Sequence, residues 1–147
     1  FQSLLEQNQF LEWAKVYDEY YGTPLAPILE GLESGQVIVM DLDVQGALQV
    51  KRRLPEAVLV FLLPPSIAAL KARLIKRGTE SAQDMDKRLE ACQEEIASAR
   101  SYDYLVVNCE VSRAVDQLIC IVEAEKLRLS RQAYLIDILT EGGTIGN

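Results

Sequence analysis

The 147-residue sequence contains no histidine, and this absence removes several classes of chemistry at once. Ser-His-Asp and Cys-His catalytic sets and metal sites built on imidazole are excluded. The three cysteines form no Cys-x-x-Cys pair, so we expect reduced thiols and little metal binding. The longest apolar run covers residues 57–63, far short of the ~20 residues that cross a bilayer. We also see no signal peptide at the start and expect no membrane partner, and the reduced thiols favour a cytoplasmic setting.

Basic residues are scarce as well. Fifteen Lys and Arg stand against 22 Asp and Glu, and the net charge of -7 argues against a nucleic-acid partner, because phosphate backbones are held by clustered cations. Six of the fifteen nevertheless lie within residues 71–88: Lys71, Arg73, Lys76, Arg77, Lys87 and Arg88. Such a cluster fits either a mobile basic segment that folds over phosphates or a solvated helix face.

Short apolar runs alternate with amphipathic segments, which is typical of strands and crossover helices in a parallel sheet. Predicted strands are Val37–Leu42, Val58–Leu63 and Tyr104–Val107, and predicted helices are Val44–Arg53, Ser66–Lys76, residues 82–100 and a segment from Val111. Ser66 is expected to cap its helix directly after two prolines. The tail from Ser130 is expected to fray. The predicted fold class is α/β, with a parallel core sheet flanked by helices in one structural domain.

Two aspartates follow the first predicted strand in the stretch VIVMDLDVQG. Strand side chains at i and i+2 share a face, so Asp41 and Asp43 should project together from the carboxyl end of the strand. Ligands of open parallel sheets bind outside such ends, and a carboxylate there can hold Mg²⁺ through water beside a nucleotide phosphate. The alternative is that the pair caps the next helix, whose N-terminal dipole favours negative charge.

The stretches FLEWA and YYGTP place Glu12, Tyr21 and Thr23 close in sequence among aromatic residues. A carboxylate can accept both N–H groups of a guanine edge, and a threonine hydroxyl can donate to a base oxygen. Gly22 would allow a ligand to approach the backbone. This cluster is therefore a candidate base-recognition site.

Taken together, the segments FLEWAKVYDEYYGTP, VIVMDLDVQG, FLLPPS, RLIKRGTES, KRL and YDYLVVN occur in the order and at the spacing of guanylate kinases. The sequence resembles that family from Phe1 to about Arg131. The resemblance implies a P-loop nucleoside monophosphate kinase-like fold that transfers the γ-phosphoryl group of ATP to GMP. It implies GMP or dGMP and ATP as partners, Mg²⁺ as cofactor, and a monomer or homodimer. The implied regions are 1–34, the remainder of the GMP-binding region; 35–72, core; 73–88, lid; and 89–147, core with a C-terminal helix and tail.

The resemblance also implies roles on the GMP side. Glu12 and Thr23 would bind the guanine edge, and Asp43 would reach the base from the end of its strand. Tyr21 would hold the GMP phosphate. Asp41 would position Mg²⁺, through water.

On the ATP side, Arg77 and Arg88 resemble the lid arginines that grip the transferring phosphoryl group, and Arg77 would also contact ATP. Arg73 would assist there. Asn108 matches the asparagine that lies against adenine, although Cys109 stands where the family's VND motif has aspartate.

A complete guanylate kinase opens with a strand and a G-x-x-x-x-G-K-[ST] loop that cradles the phosphates. None of the eight glycines here is followed by lysine, so this sequence has no such loop. We therefore expect the first strand to be missing too, and the 147 residues alone to be an inactive portion of a kinase. The alternative is a non-catalytic guanylate-kinase-like module that binds phosphopeptides.

Overall fold

The structure is a computed structural model, and it describes residues 1–16, 19–77 and 92–146. Its chain forms two compact units. The first comprises Phe1–Phe61 and Glu90–Tyr104, and the second comprises Leu62–Leu89 and Leu105–Asn147. The elements in chain order are α1 (Gln2–Glu6), β1 (Phe10–Val16), β2 (Glu19–Pro24), α2 (Leu25–Glu33), α3 (Val44–Arg53), β3 (Val60–Leu63), α4 (Ile67–Arg77), α5 (residues 92–98), a 3-10 helix (Ala99–Ser101), β4 (Tyr104–Val107), α6 (Val111–Lys126) and α7 (Leu129–Thr140).

Strands β1 and β2 of the first unit pair antiparallel, with an irregularity at the start of β1. Phe10 pairs with Pro24, but Glu12 pairs with Thr23, so β1 has one extra residue at Leu11. A bulge of this kind changes which side chains face each other across the pair. Here it brings Glu12 opposite Thr23, and Leu11 becomes almost fully buried, with 1% of its surface exposed.

Helix α3 packs along β1 and is joined to it by one side chain. The Trp13 backbone N–H donates to Gln49 Oε1 at 3.1 Å, and Gln49 Nε2 donates to the Trp13 carbonyl at 3.0 Å. The amide thus satisfies both backbone groups of Trp13, as a neighbouring strand would. Ala47 and Val50 of α3 are buried in the same unit.

Strands β3 and β4 are hydrogen-bonded neighbours. In the first unit the Leu59 carbonyl accepts from the Tyr104 N–H, and in the second the Leu63 carbonyl accepts from the Asn108 N–H. The bonded positions advance in the same direction along both strands, which is a parallel pairing.

A carboxylate at the start of β4 links three parts of the first unit. Asp103 Oδ2 accepts from the Leu59 N–H at 2.8 Å and from Lys51 Nζ at 3.0 Å. Lys51 also donates to the Ala57 carbonyl at 2.6 Å. The end of α3 and the start of β3 are therefore held by the same side chain.

Helices of the second unit show the predicted capping and an ion cluster around a buried carboxylate. Ser66 Oγ accepts from the Ala69 N–H at 3.0 Å, as expected of an N-cap. Glu125, at the end of α6, is buried and accepts from Arg128 at 2.7 Å and from Arg131 at 3.2 Å.

None of the helices in the described ranges combines the length and apolar character that a bilayer span requires.

Most predicted elements are confirmed. Helix α3 and strand β4 have the predicted bounds, β3 begins two residues later than predicted, and α4 is shifted by one residue. The helix predicted from Val111 is confirmed as α6. Residues 92–98 of the helix predicted over 82–100 are helical, whereas residues 82–91 lie outside the described residues.

Two predictions are wrong. Residues 37–42 form no strand, because this apolar run has no hydrogen-bonded neighbour among the described residues. Its side chains still alternate between more and less exposed, as in extended backbone. The tail from Ser130 does not fray but forms α7, whose less exposed side chains Gln132, Leu135 and Ile138 recur every third residue along one helix face.

Candidate functional site

A buried carboxylate lies near the start of β1, directly after the bulge in the β1–β2 pair. Thr23 Oγ1 donates to Glu12 Oε1 at 2.6 Å, and only 8% of the Glu12 surface is exposed. No basic side chain of the described ranges forms an ion pair with Glu12. Burying a carboxylate without a cation is costly unless hydrogen-bond donors surround it. The second oxygen of Glu12 therefore favours a ligand that brings donors.

The first turn of α3 lies next to this carboxylate. A Cβ added at Gly46 would stand 3.4 Å from Glu12 Oε2 and 3.2 Å from Asp43 Oδ1. Both carboxylates therefore meet at Gly46, where the absence of a side chain leaves room. The bulge in β1 and the start of α3 together assemble this pair.

Asp43 is the N-cap of α3, since its Oδ1 accepts from the Gly46 N–H at 2.7 Å. For Asp43 this confirms the capping alternative. Capping does not exclude ligand binding, because Asp43 is exposed and its Oδ2 has no bond within the described residues. One oxygen caps the helix, and the other is accessible to a ligand.

Two further predicted site residues lie in the first unit. Tyr21 is two residues before Thr23 on β2, so the two side chains share a face, and 60% of the Tyr21 surface is exposed. Asp41 is exposed two residues before Asp43 and has no ion pair among the described residues. The structure thus assembles Glu12, Thr23 and Asp43 and leaves Tyr21 and Asp41 accessible.

Gly22 has a packing role between β1 and β2, and the predicted approach of a ligand at this glycine stays a prediction. A Cβ at Gly22 would stand 3.0 Å from each of three atoms: the Glu12 carbonyl oxygen, a Phe10 ring carbon and Trp13 Cβ. A side chain at this position would therefore crowd the neighbouring strand.

Tyr102 is a neighbour of the site that the sequence did not single out. Burial raises the pKa of its phenol, and the negative charges of Asp43 and Glu95 raise that pKa further. The Tyr102 ring also packs edge-on against Phe61, with 5.2 Å between ring centroids. The hydroxyl group therefore stays neutral close to the Asp43 carboxylate.

We expect this tyrosine to weaken the fold at alkaline pH. Above about pH 10 an unfolded tyrosine loses its proton while folded Tyr102 keeps it, so stability is lost as pH rises through the folded pKa. Urea unfolding at about pH 9 and about pH 11 should show a larger loss for the natural chain than for Tyr102→Phe. Equal losses in the two proteins would contradict the assignment.

The second unit brings together the predicted adenine-side residues. Arg73 Nη2 donates to the Asn108 carbonyl at 2.8 Å. Asn108 Oδ1 is buried and has no hydrogen-bond partner in the described part of the chain. A buried amide oxygen without a donor marks a place where a ligand can donate.

Two predicted lid residues cannot be placed in the site. Arg77 is the last residue of α4, and only its backbone is described. Arg88 lies outside the described residues. Within the described ranges no three carboxylate or thiol side chains gather as a metal site would require.

Comparison with known proteins shows the family to which the chain belongs. A family profile described as guanylate kinase matches residues 1–125. The guanylate kinase of Caldanaerobacter subterraneus subsp. tengcongensis is 47% identical over 135 residues, covering 92% of this chain and 66% of the relative. That of Carboxydothermus hydrogenoformans is 45% identical over 145 residues, covering 99% of this chain and 70% of the relative.

A solved structure shows the same fold. The crystal structure of guanylate kinase from Anaplasma phagocytophilum matches with a TM-score of 0.79 and 26% identity, covering 97% of this chain and 69% of that one. The fold and the matching proteins together place the chain in the class of α/β nucleotide kinases. The chain belongs to the guanylate kinase family. It spans about two thirds of the length of the curated relatives it matches.

Proposed function

We propose that this chain is the GMP-recognising portion of an ATP:GMP phosphotransferase, which converts GMP and ATP to GDP and ADP. The observation that carries the proposal is the buried Glu12, with one oxygen bonded to Thr23 and the other close to Gly46. Guanine presents N1–H and an amino group side by side, and both donate. A carboxylate held in this way accepts both.

The same geometry discriminates against adenine. Adenine presents a lone pair at N1, which would face the Glu12 oxygens and leave them without donors. A ligand analogue that leaves buried polar groups of the site unpaired is strongly rejected. Because Thr23 donates to Glu12, its oxygen is available to accept from the guanine amino group, and we propose this role in place of donation to a base oxygen.

Phosphoryl transfer needs alignment and charge neutralisation, so a site without histidine is sufficient. Tyr21 would hold the GMP phosphate, and Asp41 would hold Mg²⁺ through water. An exposed carboxylate suits this ion, which keeps several waters and takes few protein oxygens. When bound, Mg²⁺ supplies neutralisation of phosphate charge.

The ATP side rests on the second unit. Asn108 Oδ1 would accept from the adenine amino group, and the bond from Arg73 to the Asn108 carbonyl would hold that loop in place. Arg77 and Arg88 would grip the transferring phosphoryl group, as the resemblance implies. We further propose a cytoplasmic location, a monomer or homodimer, and acceptance of GMP or dGMP.

Calorimetric titration of the 147-residue chain with GMP, AMP and a phosphoserine peptide tests the proposal. GMP should bind, and AMP and the peptide should bind far more weakly. Preference for the peptide would instead support a non-catalytic module. Equal binding of GMP and AMP would contradict base recognition through Glu12.

A further inference from the structure

A cleft lies beside the outer edge of β1, with a volume of about 440 Å³. Its lining combines three cationic side chains with two amides, one aromatic ring and one methyl group: Lys15, Arg52, Arg53, Gln45, Gln49, Trp13 and Ala14. Among the residues that the structure describes, no carboxylate lines the cleft. The positive charge of the cleft contrasts with the net charge of the chain, which is -7.

Arg53 is held in place without losing its charge. Its guanidinium donates to the Asn8 carbonyl at 3.0 Å and also to Asn8 Oδ1. Both acceptors are neutral, and no carboxylate within residues 1–16, 19–77 and 92–146 forms an ion pair with the guanidinium. Asn8 adopts a left-handed backbone, with φ of 56°, a conformation that asparagine tolerates better than most residues. A side chain fixed in this way loses little entropy when it binds a ligand.

Arg52 is the accessible member of the cluster. It is exposed, and it has neither an ion pair nor a side-chain hydrogen bond within the described residues. Cations in the last turn of a helix also complement the helix dipole, which accounts for the sign of charge at the end of α3. The dipole does not account for Lys15, which reaches the same cleft from β1.

We propose that this cleft binds a small compound carrying two or more phosphate groups, with Arg52 as the main contact and Arg53 and Lys15 beside it. Arginine forks match phosphate oxygens, and the cleft has the volume of a small-molecule site. Long polyanions such as nucleic acid would be repelled by the acidic remainder of the chain. Glu12, Thr23 and Asp43 do not line the cleft, so the proposal goes beyond GMP recognition.

Trp13 provides the readout, because it lines the cleft and is the chain's one tryptophan. Titration with inorganic pyrophosphate and with tripolyphosphate should change its emission, and binding should weaken as ionic strength rises. Arg52→Ala should lower the affinity roughly tenfold, and Arg52→Lys should lower it less, because the charge stays while the fork is lost. The matched control is Arg113→Ala, at an exposed arginine of α6, which should bind as the natural chain does.

The outcomes separate the proposal from its alternatives. GMP affinity and thermal midpoint, measured on each variant, confirm that the fold is intact. Binding that Arg52→Ala leaves unchanged would overturn the assignment of the cleft. Equal affinity for citrate would show an unspecific anion site, and the absence of any emission change or heat at millimolar pyrophosphate would show no site at all.

Discussion

Replacing Glu12 by glutamine should weaken GMP binding by about 1–3 kcal/mol, which is roughly fivefold to more than a hundredfold in Kd. The substitution keeps the size of the side chain but replaces an acceptor with an amide that donates. If the amide oxygen accepts from Thr23, the –NH₂ group faces the donors of guanine. If the amide turns over, the Thr23 hydroxyl loses its acceptor. Either orientation leaves a buried donor unpaired.

The comparison requires a glutamate whose loss should not matter. Glu30 is exposed on α2 and has no side-chain hydrogen bond within the described residues, so Glu30→Gln is the matched control. Calorimetry should show GMP affinity lowered in Glu12→Gln and unchanged in Glu30→Gln, with thermal melting to verify folding. Unchanged affinity in Glu12→Gln would mean that this carboxylate is structural and does not read the base.

Replacing Asp103 by alanine should lower the free energy of unfolding by about 2 kcal/mol. The main cost is the Leu59 N–H, which lies on a buried residue and loses its partner at 2.8 Å. The ion pair with Lys51 adds little, because both side chains are about one third exposed and solvent screens them. Urea denaturation at neutral pH measures the difference.

Asp103→Asn separates the two contributions to this cost. Asparagine retains a carbonyl oxygen that can accept from the Leu59 N–H but has no charge for Lys51, so it should lose much less stability than alanine. Asp116→Ala, at an exposed aspartate of α6, should be close to neutral. Equal losses for Asp103→Asn and Asp103→Ala would show that the charge, and not the backbone bond, is what matters.

The elements that could be predicted from the sequence are those with local signals. Asp43 before α3 and Ser66 before α4 are capping residues, and each caps its helix through the bond expected. Strands β3 and β4 are short apolar runs that follow turn residues or a helix end. In each case the information lies within a few residues of the element.

The errors come from features that depend on distant parts of the chain. Whether the apolar run 37–42 becomes a strand depends on a neighbour to pair with, which no local pattern supplies. Strands β1 and β2 were not predicted, because the bulge buries Phe10, Leu11 and Glu12 in succession and hides the two-residue alternation of a strand. Helix α7 was missed because its less exposed stripe of Gln132, Leu135 and Ile138 is partly polar and therefore a weak signal in the sequence.

The candidate site likewise combines residues that have a local signal in the sequence with contacts that depend on distant parts of the chain. Residue types and spacing indicated Glu12, Thr23 and Asp43, but the contact between Glu12 and Thr23 depends on the register that the bulge sets. The Gln49 bridge to Trp13 and the cleft beside it have no signal in the sequence, because they depend on how α3 packs along β1.

Asp43 caps α3, and its proposed contact with the base would link substrate preference to the stability of the fold. The carboxylate that we assign to the base also starts α3 through the Gly46 N–H. A mutation that retunes base preference by removing this side chain would, in the same step, loosen the helix that carries Gly46 and Gln49. If Asp43 reads the base as we propose, base preference and the stability of α3 depend on one side chain, and a change of base at this position would also cost the helix its N-cap.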